Sequence, residues 1–223
     1  TGAPLHVKIE KHVPVAAGMG GGSADAAAML RLVAELRDRP LSDFEGIAFS
    51  LGADVPSQLR PGAALVLGAG ERVVPVDPRC LQDAERAYVI VAQSRGLATA
   101  EVFAHADRLA LADPLIAACE NRLVETVSAG LDLAGLCALV ENSLEPAIIG
   151  LRPELADVRG ALREAGAIAA AFTGSGPTCF GVFSSAAAAE AAAAKLSADG
   201  LNADAAIPVG REFAKPRKAS ETS

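Results

Sequence analysis

Pro14-Val15-Ala16-Ala17-Gly18-Met19-Gly20-Gly21-Gly22-Ser23-Ala24-Asp25-Ala26-Ala27 places four glycines in five positions between two differently patterned stretches. Ahead of it, Leu5, Val7 and Ile9 alternate with His6, Lys8 and Glu10, the period of a half-buried strand over Leu5–Val13 that Pro14 ends. Behind it, Ala26, Leu30 and Val33 form the apolar stripe of a helix over Ser23–Arg37, with Ser23 as its cap and Asp25 in its first turn. Without Cβ atoms a backbone can approach an anion closely and adopt positive φ. A helix N-terminus aims its N–H groups and the positive end of its dipole at the same space. Strand, glycine loop and helix start together predict a phosphate cradle. A bare turn needs one or two glycines, and four carry an entropic cost that a ligand explains better than flexibility does. A Walker A loop is excluded because Gly22 stands where a lysine is required, and G-x-G-x-x-G is excluded because Ser23 replaces its last glycine.

Outward from the loop, Leu41–Leu51 is patterned as a second helix with Ser42 as cap and Gly52 as stop. Ala63–Val76 has β character around a Gly68-Ala69-Gly70 turn, and Pro75, Pro78 and the stretch Gln82–Glu85 suggest a passage between two lobes near residue 80. Tyr88–Ala92 is a short buried strand. Helical patterns cover Thr99–Leu111, Pro114–Ser128, Leu133–Val140 and Pro153–Glu164. Strands at Ala167–Phe172 and Thr178–Phe183 bracket Thr173-Gly174-Ser175-Gly176-Pro177, and an alanine-rich helix Ala186–Ala198 precedes a last strand near Ala203–Ile207. Mixed strands and helices without an internal repeat give an α+β or α/β fold.

Apolar residues make up 51% of the chain, but alanine supplies 49 of its 223 residues, so the core rests on Leu, Val, Ile and Phe. With 20 basic residues against 27 acidic ones the chain has a net charge of -7, which argues against a nucleic-acid partner. The basic cluster Arg211, Lys215, Arg217 and Lys218 sits in a polar end, residues 211–223, read as a disordered tail. No run of about 20 apolar residues exists to span a membrane, and no secretory signal opens the chain, so a cytoplasmic protein is expected. Cys80, Cys119, Cys137 and Cys179 form no CxxC pair, and with His6, His12 and His105 they complete no zinc spacing; buried free thiols and no protein-held metal are expected.

Pro14–Ala27 resembles the signature P-x-x-x-G-L-G-G-G-S-[SA]-[DN]-A-A of the GHMP kinases. Its triple glycine is most similar to the branch whose acceptor is a cytidine-diphosphate-linked polyol of non-mevalonate isoprenoid biosynthesis. Further segments resemble that branch in the same order: Leu51-Gly52-Ala53-Asp54-Val55-Pro56, Thr99-Ala100-Glu101-Val102-Phe103, Asn142-Ser143-Leu144-Glu145-Pro146 and Thr173-Gly174-Ser175-Gly176-Pro177-Thr178-Cys179. The resemblance implies a two-lobed α+β fold: a partial N-terminal ATP-binding lobe of ribosomal-protein-S5 type over residues 1–82, and a ferredoxin-like C-terminal lobe over 83–210. It implies ATP-dependent phosphorylation of a 2-hydroxyl, with Mg2+, by a monomer or homodimer. Carried over residue by residue, Pro14, Ala17, Gly18, Gly20, Gly21, Gly22, Ser23, Gly174, Ser175 and Gly176 hold ATP. Asp54 is the catalytic carboxylate, and Phe103 and Thr99 face the acceptor.

Each assignment has an alternative in the residues themselves. Asp54 between Ala53 and Val55 suits a turn or helix end, Phe103 at helical spacing suits a core, Gly174 and Gly176 suit a hairpin turn, and Asp25 suits a first-turn carboxylate. The family's opening A-P-A-K-x-N strand and D-G-Y-H segment, which supply a catalytic lysine and cytidine contacts, have no counterpart; about the first third of a family member is expected to be absent from these residues. Ser57-Gln58 stands where family members carry an aromatic pair, and Met19 replaces a leucine at conserved volume. A homoserine- or mevalonate-type kinase and a non-catalytic nucleotide-binding relic are the alternatives.

Overall fold

A computed structural model describes residues 5–13, 15, 17–60, 62–81, 86–111 and 116–209. Helix α1 (Gly21–Leu36) follows the glycine loop, a 3-10 turn at Leu41–Phe44 leads into α2 (Glu45–Leu51), and α3 (Val55–Leu59) completes a small helical unit. A hairpin of β1 (Ala64–Leu67) and β2 (Arg72–Pro75) follows, then a 3-10 turn at Pro78–Leu81 and β3 (Ala87–Ala92). Five helices come next: α4 (Thr99–Arg108), α5 (Ile116–Ser128), α6 (Leu133–Ala138), α7 (Glu145–Leu151) and α8 (Leu155–Glu164). The chain ends in β4 (Ala169–Phe172), β5 (Cys179–Phe183), α9 (Ala186–Ala198) and β6 (Asn202–Ala206).

The second half is one antiparallel sheet in the order β4-β5-β3-β6. With helices between β3 and β4 and α9 between β5 and β6, this is the β-α-β-β-α-β arrangement of ferredoxin-like folds. One core holds it together: Val89 and Val91 from β3, Phe172, Phe183, and Ile148, Leu155, Leu162 and Leu196 from the helices are buried in a single cluster. The alanines of α9 matter here. Ala189, Ala192 and Ala193 are buried against the sheet, so this helix lies close to it with Leu196 as its one large anchor. Ser185 caps α9 by accepting the Ala188 N–H at 3.2 Å. The first half has a smaller cluster of Ala27, Leu30, Ala48, Val55 and Leu59. No helix among the described residues is long and apolar enough to cross a membrane.

Several sequence expectations need correction. Leu5–Val13 forms no strand: Leu5, Val7 and Ile9 are 46%, 45% and 54% exposed, and no described strand pairs with them. Alternation makes a strand only where a neighbour completes the ladder. Leu41–Leu51 divides into a 3-10 turn and a helix, with no side-chain cap from Ser42. Helices α3 and α7 escape a reading by periodicity because five and seven residues hold too few turns; Pro56 and Pro146, usually breakers, sit in their first turns. Gln82–Glu85, Pro114, the tail 211–223 and the side chain of Cys119 lie outside the described residues.

Of the other thiols, Cys179 alone is fully buried; Cys80 and Cys137 are half-buried. Cys179 donates to the Ala171 carbonyl at 3.2 Å across β4 and β5, and burial pushes its thiol from 9.0 up to about 12. Between those values the unfolded chain has lost a proton that the folded chain keeps, so stability falls as pH rises through this window, by about 1.4 kcal/mol per pH unit. Urea unfolding of the native chain and Cys179→Ala at pH 8 and pH 10 is expected to show this loss only in the native chain. Parallel pH dependence of the two would contradict it.

Candidate functional site

The glycine loop enters α1 without a side-chain cap. Gly20, at φ 66° and ψ 16°, is the N-cap residue, and the helix begins at Gly21 rather than Ser23. A left-handed residue at this place suits glycine and turns the chain sharply into the helix. The first intrahelical bond runs from the Ala24 N–H to the Gly20 carbonyl at 2.9 Å. The N–H groups of Gly21, Gly22 and Ser23 therefore precede the helix ladder and have no intrahelical acceptor. Ser23 is inside the first turn. Asp25 lies beyond it and pairs with Lys11 at 2.5 Å, each about a third exposed, which replaces its expected first-turn role.

Each glycine serves differently. Gly18, at φ 75°, lies against the turn after β4: a Cβ there would stand 2.5 Å from the Thr173 carbonyl oxygen and 2.6 Å from that of Gly176. The Thr178 N–H donates to the Ala17 carbonyl at 3.3 Å, tying the same two segments together. At Gly20 and Gly22 a Cβ would meet nothing within 4 Å, so these positions open onto space. The two glycine segments, 155 residues apart in the case of Gly18 and Thr173, are thus one backbone surface.

That surface forms a wall of a cavity of about 540 Å3. Ala17, Gly18, Gly20, Gly21, Gly22 and Ser23 line it from the loop, and Gly174 and Ser175 from the turn. Asp54, Thr99 and Phe103 line the remaining sides. Gly176 does not: it is buried behind the turn, where a Cβ would meet Ile148 at 3.3 Å, and its N–H donates to Thr173 O at 2.7 Å. Pro14 lies outside the described residues.

Asp54 occupies the N-cap position of α3, as its neighbours alone suggest, yet its side chain makes no cap hydrogen bond. Ser57, in place of the expected aromatic, donates its hydroxyl to the Asp54 carbonyl at 2.8 Å. The loop before Asp54 is backed by the hairpin tip: at Gly70, φ 108°, a Cβ would stand 2.3 Å from the Ala53 carbonyl oxygen. Glu120 of α5 holds that hairpin by accepting from the Gly68 N–H at 2.9 Å and from Arg72 at 2.8 Å. Phe103 is 51% exposed at the cavity while Val102 and Ala106 bury the other face of α4, so it is not the core residue its spacing suggests. The Thr99 and Ser175 hydroxyls are 3.0 Å apart and join α4 to the glycine turn.

Lys11, Ala53 and Leu144 also line the cavity and had no role in the sequence reading. Lys11 falls on the alternating stretch before Pro14, where a charge suggests only a solvated face. Asn142 opens the family-like segment 142–146, which assigned it no role of its own. Its Nδ2 donates to the carbonyls of Phe172 at 3.0 Å and Gly174 at 2.8 Å, and its Oδ1 accepts the Leu144 N–H at 2.9 Å. Among the described residues no three His, Cys, Asp or Glu side chains gather round a metal position. The oxygen donors Ser23 and Asp54 at the cavity wall suit an Mg2+ that draws most of its ligands from phosphate and water.

Gly18→Ala forces a side chain into a left-handed residue and into two backbone oxygens, and is expected to cost about 1–3 kcal/mol from the backbone conformation alone. Gly22→Ala, in open space within a helix, is expected to leave stability equal or raise it by up to about 1 kcal/mol. Thermal unfolding of the two variants distinguishes them, and equal destabilisation would contradict the close approach at Gly18.

Residues 1–62 match the GHMP kinases N terminal domain, and residues 115–202 match GHMP kinases C terminal. A 4-diphosphocytidyl-2-C-methyl-D-erythritol kinase of Arthrobacter sp. (strain FB24) is 41% identical over 205 residues, 89% of this chain and 62% of that protein. One of Streptomyces coelicolor is 38% identical over 212 residues, 92% of this chain and 68% of that protein. A crystal structure of 4-(cytidine 5'-diphospho)-2C-methyl-D-erythritol kinase superposes with a TM-score of 0.67 at 31% identity, covering 88% of this chain and 68% of the other. Homoserine kinase from Cytophaga hutchinsonii shares the fold, with a TM-score of 0.57 at 21% identity over 87% of this chain and 66% of its own. The chain spans 56% to 64% of the length of the first three curated relatives it matches. Both halves of the chain match the same family, in the order in which the cavity brings their glycine segments together, and the chain belongs to the GHMP kinases, on the branch of the 4-diphosphocytidyl-2-C-methyl-D-erythritol kinases.

Proposed function

We propose that this chain binds ATP and transfers its γ-phosphoryl group to the 2-hydroxyl of 4-(cytidine 5'-diphospho)-2-C-methyl-D-erythritol, as a cytoplasmic enzyme of non-mevalonate isoprenoid precursor biosynthesis. The observation that carries the reading is the meeting of two glycine segments, Asp54 and an exposed Phe103 around one cavity. ATP binding falls mainly to residues up to 82, with the turn at 173–176 contributed by the half spanning 83–210.

The N–H groups of Gly21, Gly22 and Ser23 and the dipole of α1 receive the phosphate oxygens. The open space at Gly20 and Gly22 admits them to backbone distance. Asp54 accepts the proton of the acceptor hydroxyl as its oxygen bonds to the γ-phosphorus, and the bond from that phosphorus to the bridging oxygen breaks with ADP leaving. Ser23, with Asp54 nearby on the cavity wall, would hold Mg2+, which would supply positive charge to neutralise the phosphoryl oxygens. Phe103 offers its exposed ring as a stacking face for cytosine. An acceptor without a ring, such as homoserine, leaves that exposed aromatic without use.

ADP release by the purified chain with Mg·ATP, offered the cytidine substrate, homoserine and mevalonate in parallel, tests the reading. Turnover with the cytidine substrate alone is expected, and Asp54→Asn is expected to lower its rate by about 10²–10⁴-fold. Turnover with homoserine or mevalonate instead would replace the acceptor. ATP binding without any turnover would favour a non-catalytic nucleotide binder.

A further inference from the structure

We infer that Asn142 is a positioning residue for the nucleotide, setting the shape of the glycine turn at 173–176 against which Gly18 lies. The inference rests on the kinase reading above and deepens it. Asn142 does not line the cavity, so it acts through what it holds. Both hydrogens of its amide are used on Phe172 O and Gly174 O, at 3.0 and 2.8 Å, and its oxygen is used on the Leu144 N–H at 2.9 Å. No other side chain of this size combines two forked donors with one acceptor.

The turn is held by two separate segments. Asn142 draws the carbonyls of Phe172 and Gly174 towards a single nitrogen. At the glycine loop, the space for a Cβ at Gly18 is closed by the Thr173 and Gly176 carbonyls, and a Cβ at Gly174, φ 48°, would stand 3.3 Å from Gly18 O. The Ser175 hydroxyl, between these held positions, reaches Thr99 at 3.0 Å. Removing the amide takes a donor from the part-buried Phe172 carbonyl and from the exposed Gly174 carbonyl, and a turn released there can no longer keep its register against Gly18.

Asn142→Asp makes the test specific. A carboxylate still accepts the Leu144 N–H but offers no donor to the two turn carbonyls, so the turn is disturbed while Leu144 stays. Binding of Mg·ATP and, separately, of cytidine 5'-diphosphate to the full chain is measured by calorimetry, with the unfolding temperature alongside. Asn142→Asp is expected to weaken Mg·ATP by about tenfold or more and to change cytidine 5'-diphosphate affinity by less than about twofold. Asn142→Ser, which keeps one donor, is expected to fall between the native chain and Asn142→Asp for Mg·ATP. Unchanged Mg·ATP affinity in a folded variant, or equal loss of both ligands, overturns the inference. Unfolding of both variants overturns it too, by assigning Asn142 to stability alone. A native chain that binds neither ligand would remove the kinase reading itself, an outcome distinct from a native chain and variants that bind ATP alike.

Discussion

The contact of Gly18 with the turn at 173–176 is the constraint on which the site depends. It is an approach of backbone to backbone, closer than any side chain would permit: the missing Cβ would lie 2.5 Å from one carbonyl oxygen and 2.6 Å from another. Little energy resides in such a contact by itself. Its importance is geometric, because it joins the loop that opens α1 to the edge of a sheet whose core is built from residues 87–203. The small first-half cluster of Ala27, Leu30, Ala48, Val55 and Leu59 could not hold the loop so firmly by packing alone. The Thr178 N–H to Ala17 bond at 3.3 Å continues the seam.

Around that seam the walls of the cavity are held by polar links rather than by apolar packing. Thr99 meets Ser175, Asn142 grips Phe172 and Gly174, and Glu120 anchors the hairpin whose tip supports Ala53. Hydrogen bonds fix direction as well as distance, which suits the proposed presentation of N–H groups and a carboxylate to a phosphorylated ligand. The apolar cores lie behind, under the sheet and beneath α1 and α3, and give these links rigid elements to attach to.

Much of the lining of the candidate site was legible in the sequence because glycine is informative in a way few residues are. Four glycines in five positions have a steric meaning that survives without knowledge of the fold. The sheet strands from Tyr88 onward and the alanine-rich α9 were legible from period and length. Leu5–Val13 misled, since its alternation is genuine but a strand needs a partner that local sequence cannot supply. Asn142 entered only as part of a family-like segment with no role of its own, and Lys11 carried no signal, since a lysine on an alternating stretch suggests solvent.

The sequence by itself determined the α+β class and the kinase family, and it supplied the glycine loop on which the proposed phosphate cradle rests, since each depends on residue types at short spacing and on motif order. Only the tertiary structure decided that Gly20 rather than Ser23 caps α1, that Gly176 lies behind the cavity while Ser175 faces it, and that Phe103 is exposed. It also decided that one amide, Asn142, holds the turn 30 residues away at Phe172. The physical reason is the range of the forces. Backbone propensity and helix periodicity act over a few residues, whereas burial, close approach and side-chain hydrogen bonding depend on which distant segments the folded chain brings together.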